Sequence, residues 1–248
     1  MKLMMASLLI LASASAFAAE AADTRCYELR VYYAAPGKLD ALNARFRDHS
    51  CALLEKHGFT NIGYWTPVDN PDNKLIYIIA SPSREAHDKA WEAFKADPEW
   101  IKARDASEVD GKLVTKVDSY YLTATDFSPE VKPSKTDATR TFELRTYTPA
   151  TDKMDALLSR FRDHTVKLFE KHGMTNIGYW TSEAKDRQPA QLIYILAHKS
   201  PEAGKASFDA FRADPAWQEA KKASEVNGSL TQKVESVYMT PTDYSPLK

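Results

Sequence analysis

The chain of 248 residues has few of the residues that build cofactor sites, and these absences exclude several classes of protein. It has two cysteines, and no Cys-x-x-Cys, His-x-x-x-His or calcium-loop spacing, so we expect no metal site. It has eight glycines and neither of the glycine-rich phosphate-binding motifs, so we expect no nucleotide cofactor. The Gly-x-Ser-x-Gly elbow of serine hydrolases is also absent. The sequence therefore predicts no cofactor.

An excess of charge of one sign is lacking as well. The chain has 33 lysines and arginines against 34 aspartates and glutamates, and no basic cluster stands out. Nucleic acid and an anionic membrane surface are therefore not expected partners. The hydrophobic fraction is 44%, which is typical of a folded protein and excludes disorder as the main state.

No apolar run is long enough to cross a membrane. The run from Leu3 to Leu11 follows Lys2 and ends in small residues, whereas a bilayer needs about 20 apolar residues. This pattern predicts a signal peptide over residues 1–18, cleaved after Ala18, with Ala16 or Ala19 as alternatives. We therefore expect a periplasmic or secreted protein without membrane attachment after cleavage.

Export would place the two cysteines in an oxidising compartment, where they could form a disulfide. The predicted strand from Cys26 and the helix returning to Cys51 have matching lengths, which allows the pairing. The helical wheel argues against it, because Cys51 lies far from the apolar stripe that should face the sheet. The sequence leaves this disulfide open.

The chain contains an internal duplication. From Tyr27 to Thr66, 26 of 40 positions match the residue found 115 positions later. A two-residue insertion then changes the offset to 117, and both halves end in Thr-Asp-aromatic-Ser-Pro. We therefore predict a first domain over residues 19–129, a linker over 130–139 and a second domain over 140–248.

Each half has the pattern strand, helix, strand, strand, helix, strand, which is the ferredoxin-like plan of an α+β fold. A proline interrupts the second helical region at Asp97-Pro98. One face of such a sheet lacks helices, and two halves could cover these faces mutually. In the first half the predicted strands are Tyr27–Tyr33, Thr60–Thr66, Leu75–Ala80 and Leu113–Leu122, and the predicted helices are Lys38–His57 and a region beginning near Ser83.

Alternation along the first strand suggests a ligand site. We expect the apolar set to face the helices, and the polar set to face the space between the halves. There the arginines would bind an anionic or carbonyl group, the glutamates would orient them or act as bases, and the tyrosines would donate hydrogen bonds. The alternative is that these charges form ion pairs that fix the register of the two sheets. The apolar set is Tyr27, Leu29, Val31 and Tyr33, and the polar set is Glu28, Arg30 and Tyr32, with Glu143, Arg145 and Tyr147 in the second half.

Further repeated residues are candidates for the same cavity. The aromatic ones would line its wall or simply pack in the core. His49 and His164 would reach the open end of a barrel formed by the two halves, or would hydrogen-bond a nearby carboxylate. His57 and His172 precede glycines and are expected to cap helices. The aromatic candidates are Trp65, Tyr77, Trp180 and Tyr194.

These motifs resemble those of the NIPSNAP domain, a branch of the dimeric α-β barrel superfamily. The resemblance rests on Glu-Leu-Arg-x-Tyr, Gly-Tyr-Trp and Asp-Pro-x-Trp, each present twice in the same order. It implies two tandem ferredoxin-like (βαββαβ) repeats, packed sheet to sheet as an intramolecular dimeric α-β barrel. NIPSNAP proteins are mostly uncharacterised biochemically, and animal members are linked to mitochondria, vesicle traffic and protein interaction. Distant barrel relatives include monooxygenases, haem-degrading enzymes and peroxidases.

Three functions follow as hypotheses. The first is binding of a small organic molecule, with an anionic one as an option, between the two halves. The second is a non-enzymatic interaction module that uses the helix breaks at Asp97–Trp100 and Asp214–Trp217. The third is a metal-free barrel monooxygenase, which rests on the fold resemblance alone. Whether the protein is an enzyme and whether it forms a homo-oligomer are left open.

Overall fold

The computed structural model describes residues 23–134, 140–185 and 189–248, so the predicted signal peptide over residues 1–18 lies outside the described residues. Each half has the predicted element order, with π-helical turns within the first helix. The first half contains β1 (Cys26–Ala34), α1 (Leu39–Arg45), π1 (Phe46–Ser50), α2 (Cys51–Lys56), β2 (Thr60–Pro67), β3 (Lys74–Ser81), α3 (Arg84–Ala96), α4 (Pro98–Ser107) and β4 (Val114–Ala124). The second contains β5 (Thr141–Pro149), α5 (Met154–Arg160), π2 (Phe161–Thr165), α6 (Val166–Lys171), β6 (Thr175–Ser182), β7 (Leu192–His198), α7 (Pro201–Ala213), α8 (Pro215–Ser224) and β8 (Thr231–Pro241).

The predicted helix break at Asp97-Pro98 is confirmed. Asp97 is the N-cap of α4, where its side chain accepts a hydrogen bond of 2.8 Å from the backbone N–H of Glu99. His57 occupies the C-cap position of α2, and its Nε2 lies 2.7 Å from the Asp97 carboxylate. The predicted capping histidine therefore also ties the end of α2 to the start of α4.

The eight strands form one closed barrel in the order β1-β3-β2-β8-β5-β7-β6-β4. The halves join through two antiparallel seams, one between β2 and β8 and the other between β4 and β6. Closure removes the free sheet edges that each half would have alone. The predicted intramolecular α-β barrel is confirmed.

The barrel interior is an apolar core built from both halves. Trp65 packs on Phe142, and Trp180 packs on Tyr27, with ring centroids 5.5 Å apart in each pair. The indole of Trp65 lies over Gly63, where a Cβ atom would sit 2.3 Å from the ring. The Gly-Tyr-Trp motif therefore recurs because the glycine makes room for a tryptophan on the same face of the strand.

One end of the barrel is closed by the segments that follow each half. Val131, within the predicted linker, and Leu247 are both buried in the interior core. Ser134 forms a β-bridge with Leu247, and Arg140 donates a hydrogen bond of 2.9 Å to the Lys248 carbonyl. These segments act as a plug at the end where β1 begins.

The repeated Thr-Asp-aromatic-Ser-Pro ending fastens each half to the other. Arg47 forms a bidentate ion pair with Asp243, with distances of 2.7 and 3.0 Å, and Arg162 forms the equivalent pair with Asp126. The backbone N–H of Tyr64 donates a hydrogen bond of 3.0 Å to the Ser245 hydroxyl. The ending is therefore an inter-domain contact, which explains why both copies keep it.

Two further expectations concern the cysteines and the membrane. Cys26 and Cys51 are free thiols in the structure, so the disulfide that the sequence left open is not formed. Within the described residues, no helix combines the length and apolar character needed to cross a bilayer.

Candidate functional site

The predicted orientation of the first strand is wrong. Tyr27 and Leu29 belong to the interior core, whereas Glu28 and Arg30 contact side chains of helix α3. Both faces of β1 are covered, one by helices and the other by the second half, so alternation alone cannot identify the barrel face. The polar side chains face the helices because α3 supplies hydrogen-bond donors. The predicted polar cavity between the halves is therefore not formed by these residues.

The carboxylate of Glu28 accepts four hydrogen bonds. Its Oε1 accepts from Arg30 Nη1 at 2.5 Å and from the Ser119 hydroxyl. Its Oε2 accepts from His87 Nε2 and from Trp91 Nε1, each at 2.8 Å. Glu28 is 1% exposed, and this complete set of donors makes its burial possible.

The same donors keep Glu28 ionised. Burial alone would raise the pKa of Glu28, but the hydrogen bond from His87, the charge of Arg30 and the bonds from Ser119 and Trp91 outweigh it and lower the pKa to about 2. A carboxylate with so low a pKa is a poor proton acceptor at neutral pH. Glu28 therefore orients Arg30, one of its two predicted roles, and is unsuited to the other role, that of a base.

Arg30 connects this buried network to a cavity. Its guanidinium lies 4.6 Å above the Trp91 ring and donates to the Tyr32 hydroxyl at 3.4 Å. Burial would lower the pKa of Arg30, but the neighbouring tyrosines Tyr77 and Tyr32 and the Glu28 carboxylate raise it. The guanidinium is thus a permanent cation held between a carboxylate and aromatic rings.

The first-half cavity is the space of about 680 Å³ between the sheet and the helices of the first half. Its floor is the Arg30 network, and Tyr77 in the wall has a buried hydroxyl without a hydrogen-bond partner among the described residues. Lys185 reaches the rim from the second half. A volume of this size suits a small organic molecule. Aromatic walls are supplied by Tyr32, Tyr77, Trp91 and Trp100, and charged rim groups by Asp88, Glu92, Lys95 and Lys185.

The other predicted site residues are not brought to this cavity. Trp65 and Trp180 are fully buried in the barrel interior, where they pack. Tyr194 lies in the helix-sheet core of the second half. His49 and His164 are exposed on π1 and π2, and neither makes a hydrogen bond with the residues that the structure describes, so neither of their predicted roles is seen.

The second half holds Glu143 in an equivalent position. Its carboxylate accepts from Arg145 Nη1 at 2.6 Å, the Ser236 hydroxyl at 2.5 Å and His198 Nε2 at 2.9 Å. Burial would raise the pKa of Glu143, but these donors lower it. Phe208 replaces the tryptophan above the arginine, with its ring centroid 4.3 Å from the Arg145 guanidinium, so the carboxylate lacks an indole donor. As in the first half, Arg145 and Tyr147 face the helices, contrary to the prediction.

Three partners of Glu28 escaped the sequence reasoning. His87 and Trp91 have no identical counterpart in the second half, where Gly204 and Phe208 stand instead, so a search for repeated residues passed over them. Ser119 recurs as Ser236 at the offset of 117, and that repetition was a usable signal. Ser81, His87 and Glu28 form a hydrogen-bonded chain like that of a hydrolase, but all three are buried, and only Glu28 borders the cavity.

The helix breaks do not form an exposed aromatic surface. Trp100 packs against Phe94, with ring centroids 4.6 Å apart, and lies under the buried Arg45 guanidinium at 5.3 Å. Trp217 packs in the same way on Phe211 at 4.4 Å. Both indoles are partly buried against the helix-sheet cores, and the interaction-module hypothesis stays a prediction. No group of three or more potential metal ligands occurs in the part of the chain that the structure describes.

Comparison with known proteins gives a similarity of fold and, separately, a family. Among solved structures, an anthrone oxidase-like protein superposes with a TM-score of 0.60 at 13% identity, covering 91% of this chain and 95% of that one. Proposed monooxygenases from Lactobacillus acidophilus NCFM and Fusobacterium nucleatum give TM-scores of 0.54 and 0.58 at 10% and 6% identity. The first alignment covers 88% of this chain and 94% of that one, and the second covers 88% and 92%.

These likenesses concern the fold alone, because the identities are low. A sequence comparison with curated proteins finds no match. The NIPSNAP family model, however, matches residues 27–129 and 142–246, which are the two halves of the barrel. The chain belongs to the NIPSNAP family and carries two tandem NIPSNAP domains.

Proposed function

We propose that the protein binds a small organic molecule in the first-half cavity, with an anionic or carbonyl oxygen on Arg30 and a flat apolar body between the aromatic side chains. The observation that carries the proposal is Arg30, a partly buried cation that borders a cavity of about 680 Å³ and has N–H donors without a partner. This moves the ligand from between the halves, where the sequence placed it, to the helix side of one sheet.

The hydrogen bonds of Arg30 support this role. A guanidinium has five N–H donors, and Arg30 uses one on Glu28 and one on Tyr32, while its Nε is buried without a partner among the described residues. Glu28 fixes the orientation of the guanidinium and Trp91 fixes its plane. A ligand oxygen would therefore meet a positioned donor instead of a mobile side chain, which lowers the entropic cost of binding.

The aromatic wall favours a flat ligand. Tyr77 stacks on Tyr64 with an interplanar angle of 17° and meets Tyr32 edge-on, so these rings form a rigid surface. The buried Tyr77 hydroxyl offers a second polar contact. Rigid aromatic walls with a few fixed polar groups are typical of small-molecule sites.

Binding of 2-naphthoate, compared with naphthalene, tests this proposal by titration calorimetry. Loss of the carboxylate should weaken binding about tenfold or more, as expected for a charge-assisted hydrogen bond. Arg30→Gln should remove this preference while leaving the weak binding of naphthalene. Equal affinity of the wild type for both compounds, or a preference that survives in Arg30→Gln, would refute the role of Arg30.

Only the similarity of fold suggests a monooxygenase, so we do not propose that activity for this chain. The neighbours that suggest it share 6–13% identity, and Glu28 is too weak a base to deprotonate a substrate at neutral pH. Oxygen consumption in the presence of candidate quinols is the measurement that would revive it.

We also propose that the protein is exported. The support is the sequence of residues 1–18, in which one lysine precedes a short apolar run and small residues. The mature protein should be recovered outside the cytoplasm with Ala19 at its N-terminus, as determined by N-terminal sequencing. Recovery of a chain with Met1 from the cytoplasmic fraction would contradict export.

A further inference from the structure

The two ends of the barrel differ. The end at which β1 begins is closed by Val131 and Leu247. At the opposite end, where β1 and β5 finish, two adjoining cavities of about 460 and 320 Å³ open between the halves. We call this opening the barrel mouth and define it by the side chains that border both cavities, which are Val31, Tyr120, Leu144 and Val237.

We propose that the barrel mouth is a second binding site, for an uncharged, largely apolar small molecule with one hydroxyl or carbonyl oxygen. The site is independent of the first-half cavity, because Arg30 and Glu28 lie on the opposite face of β1. It corresponds to no residue that the sequence singled out as a binding residue. Its occupant is defined by the chemistry of the wall.

The deep wall of the barrel mouth is apolar. Leu29, Leu144 and Ile193 are at most 7% exposed and come from three strands in the two halves. Val31 and Val237 lie above them and are partly buried. Filling this space with an apolar body would remove additional hydrophobic surface from water.

Two hydroxyl groups supply the polar contact. Tyr120 and Thr146 border the cavities, and neither side chain makes a hydrogen bond with another described residue. Thr148 lies two residues farther along β5, and its hydroxyl already accepts a hydrogen bond of 3.0 Å from the side-chain amide of Gln191. One ligand oxygen could therefore be satisfied inside the mouth without displacing an existing bond.

The charged groups favour a neutral ligand. The deep wall carries no charge among its described residues, and an unpaired charge would be costly to bury there. The charged groups at the rim form ion pairs, and Asp69 is exposed at the tip of the hairpin between β2 and β3. The ion pairs are Lys233–Glu235 at 2.8 Å, Lys74–Asp72 at 2.7 Å and Lys116–Asp118 at 3.0 Å, and the Tyr33 hydroxyl also donates to Asp118 at 2.9 Å.

The positions of the first and last described residues favour a free molecule over either of these two ends as the occupant. Lys248 lies at the closed end, beside Ser134. Asp23 also lies there, hydrogen-bonded to the Tyr27 hydroxyl near the start of β1. The first and last described residues are therefore at the end of the barrel opposite to the mouth, whereas Pro189, which begins the last described range, borders it.

Binding of a series of linear primary alcohols, followed by methyl NMR of the whole chain, tests the proposal. The methyl resonances of Leu29, Val31, Leu144 and Val237 should shift to saturation. The dissociation constant should fall about fourfold for each added methylene until the cavity is full. The carboxylate of equal chain length should bind about tenfold more weakly or worse, because its charge has no partner.

A matched pair of variants places the binding site. Thr146→Phe should fill the mouth and weaken alcohol binding about tenfold or more. Val234→Phe adds a ring to the exposed face of the neighbouring strand and should leave the affinity within about twofold. If Thr146→Phe does not fold, the methyl map of the wild type decides alone. Shifts centred on Leu54 in the first-half cavity, affinity that does not change with chain length, or equal binding of the carboxylate would overturn the proposal.

Discussion

Glu28 and Glu143 occupy the same place in the two halves, yet the imidazole that binds each carboxylate comes from a different element. In the first half it is His87 on helix α3, and in the second it is His198 at the end of strand β7. The position equivalent to His198 is Ser81, and the position equivalent to His87 is Gly204.

Gly204 shows that the change in the origin of the imidazole is coupled to the size of the residue on the helix. A Cβ atom at Gly204 would lie 3.0 Å from the His198 ring and 2.9 Å from the Tyr238 hydroxyl. The second half therefore needs a small residue on the helix because the imidazole now comes from the strand. Each buried carboxylate thus keeps an arginine, a serine and an imidazole donor, although the imidazole comes from a different element in each half.

The largest expected effect is the removal of either carboxylate. Glu28→Ala leaves Arg30 and two ring N–H groups without their acceptor and should reduce the free energy of unfolding by about 3–5 kcal/mol. Glu143→Ala should cost less by about 1 kcal/mol, because no indole donor is stranded there. Urea denaturation of both variants measures the difference. A larger loss of stability for Glu143→Ala than for Glu28→Ala would contradict the expected difference between the two halves.

The free energy of unfolding should decrease at low pH, because the pKa of Glu28 is lowered in the folded state. The pKa of Glu28 falls from 4.5 to about 2, so its stabilisation is complete above pH 4.5 and is lost as the pH decreases towards 2. This amounts to about 3 kcal/mol across that interval. Urea denaturation from pH 7 to 2.5 should therefore show a flatter profile for Glu28→Gln than for the wild type. Glu143→Gln should change the slope in the same direction, and parallel profiles for all three proteins would contradict the account.

The origin of the imidazole can be exchanged experimentally. His87→Gly should destabilise the protein by about 2–3 kcal/mol, because a donor is lost and a cavity forms. Adding Ser81→His recreates the arrangement of the second half and should recover about 1–2 kcal/mol. The control is Ser81→His alone, whose ring would compete with His87 for one space and destabilise the fold. Additive effects of the two changes in urea denaturation would show that the exchange is not compensatory.

The indole donor accounts for the smallest difference between the halves. Trp91→Phe copies Phe208 and should cost about 1 kcal/mol, since the Glu28 carboxylate keeps three donors. Phe208→Trp in the second half is the reciprocal variant and should not lower the stability by more than about 1 kcal/mol. Thermal unfolding of both variants provides the measurement. A large loss on Trp91→Phe would mean that its packing, and not its N–H group, sustains the site.

The duplication and the closed barrel could be predicted because repeated motifs and the βαββαβ order are encoded locally. The faces of β1 could not, because both are buried and the alternation of Tyr27 and Glu28 fits either assignment. The donors of Glu28 were missed for a related reason. His87 and Trp91 lie on a helix distant in sequence, and their counterparts Gly204 and Phe208 differ, so repetition did not mark them.

The barrel core shows the opposite case. Trp65 and Trp180 are repeated, and that repetition reflects reciprocal packing across the barrel with Phe142 and Tyr27. Residues kept in both halves therefore divide into those that hold the halves together and those that hold a buried charge. Sequence alone did not separate the two groups.

The stoichiometry of 2-naphthoate binding most directly tests our proposal that the first half holds the ligand through Arg30. Titration calorimetry should give one molecule per chain, with affinity reduced about tenfold or more in Arg30→Gln and unchanged within about twofold in the matched control Arg145→Gln. Two equivalent molecules per chain, or equal losses in the two variants, would contradict the claim.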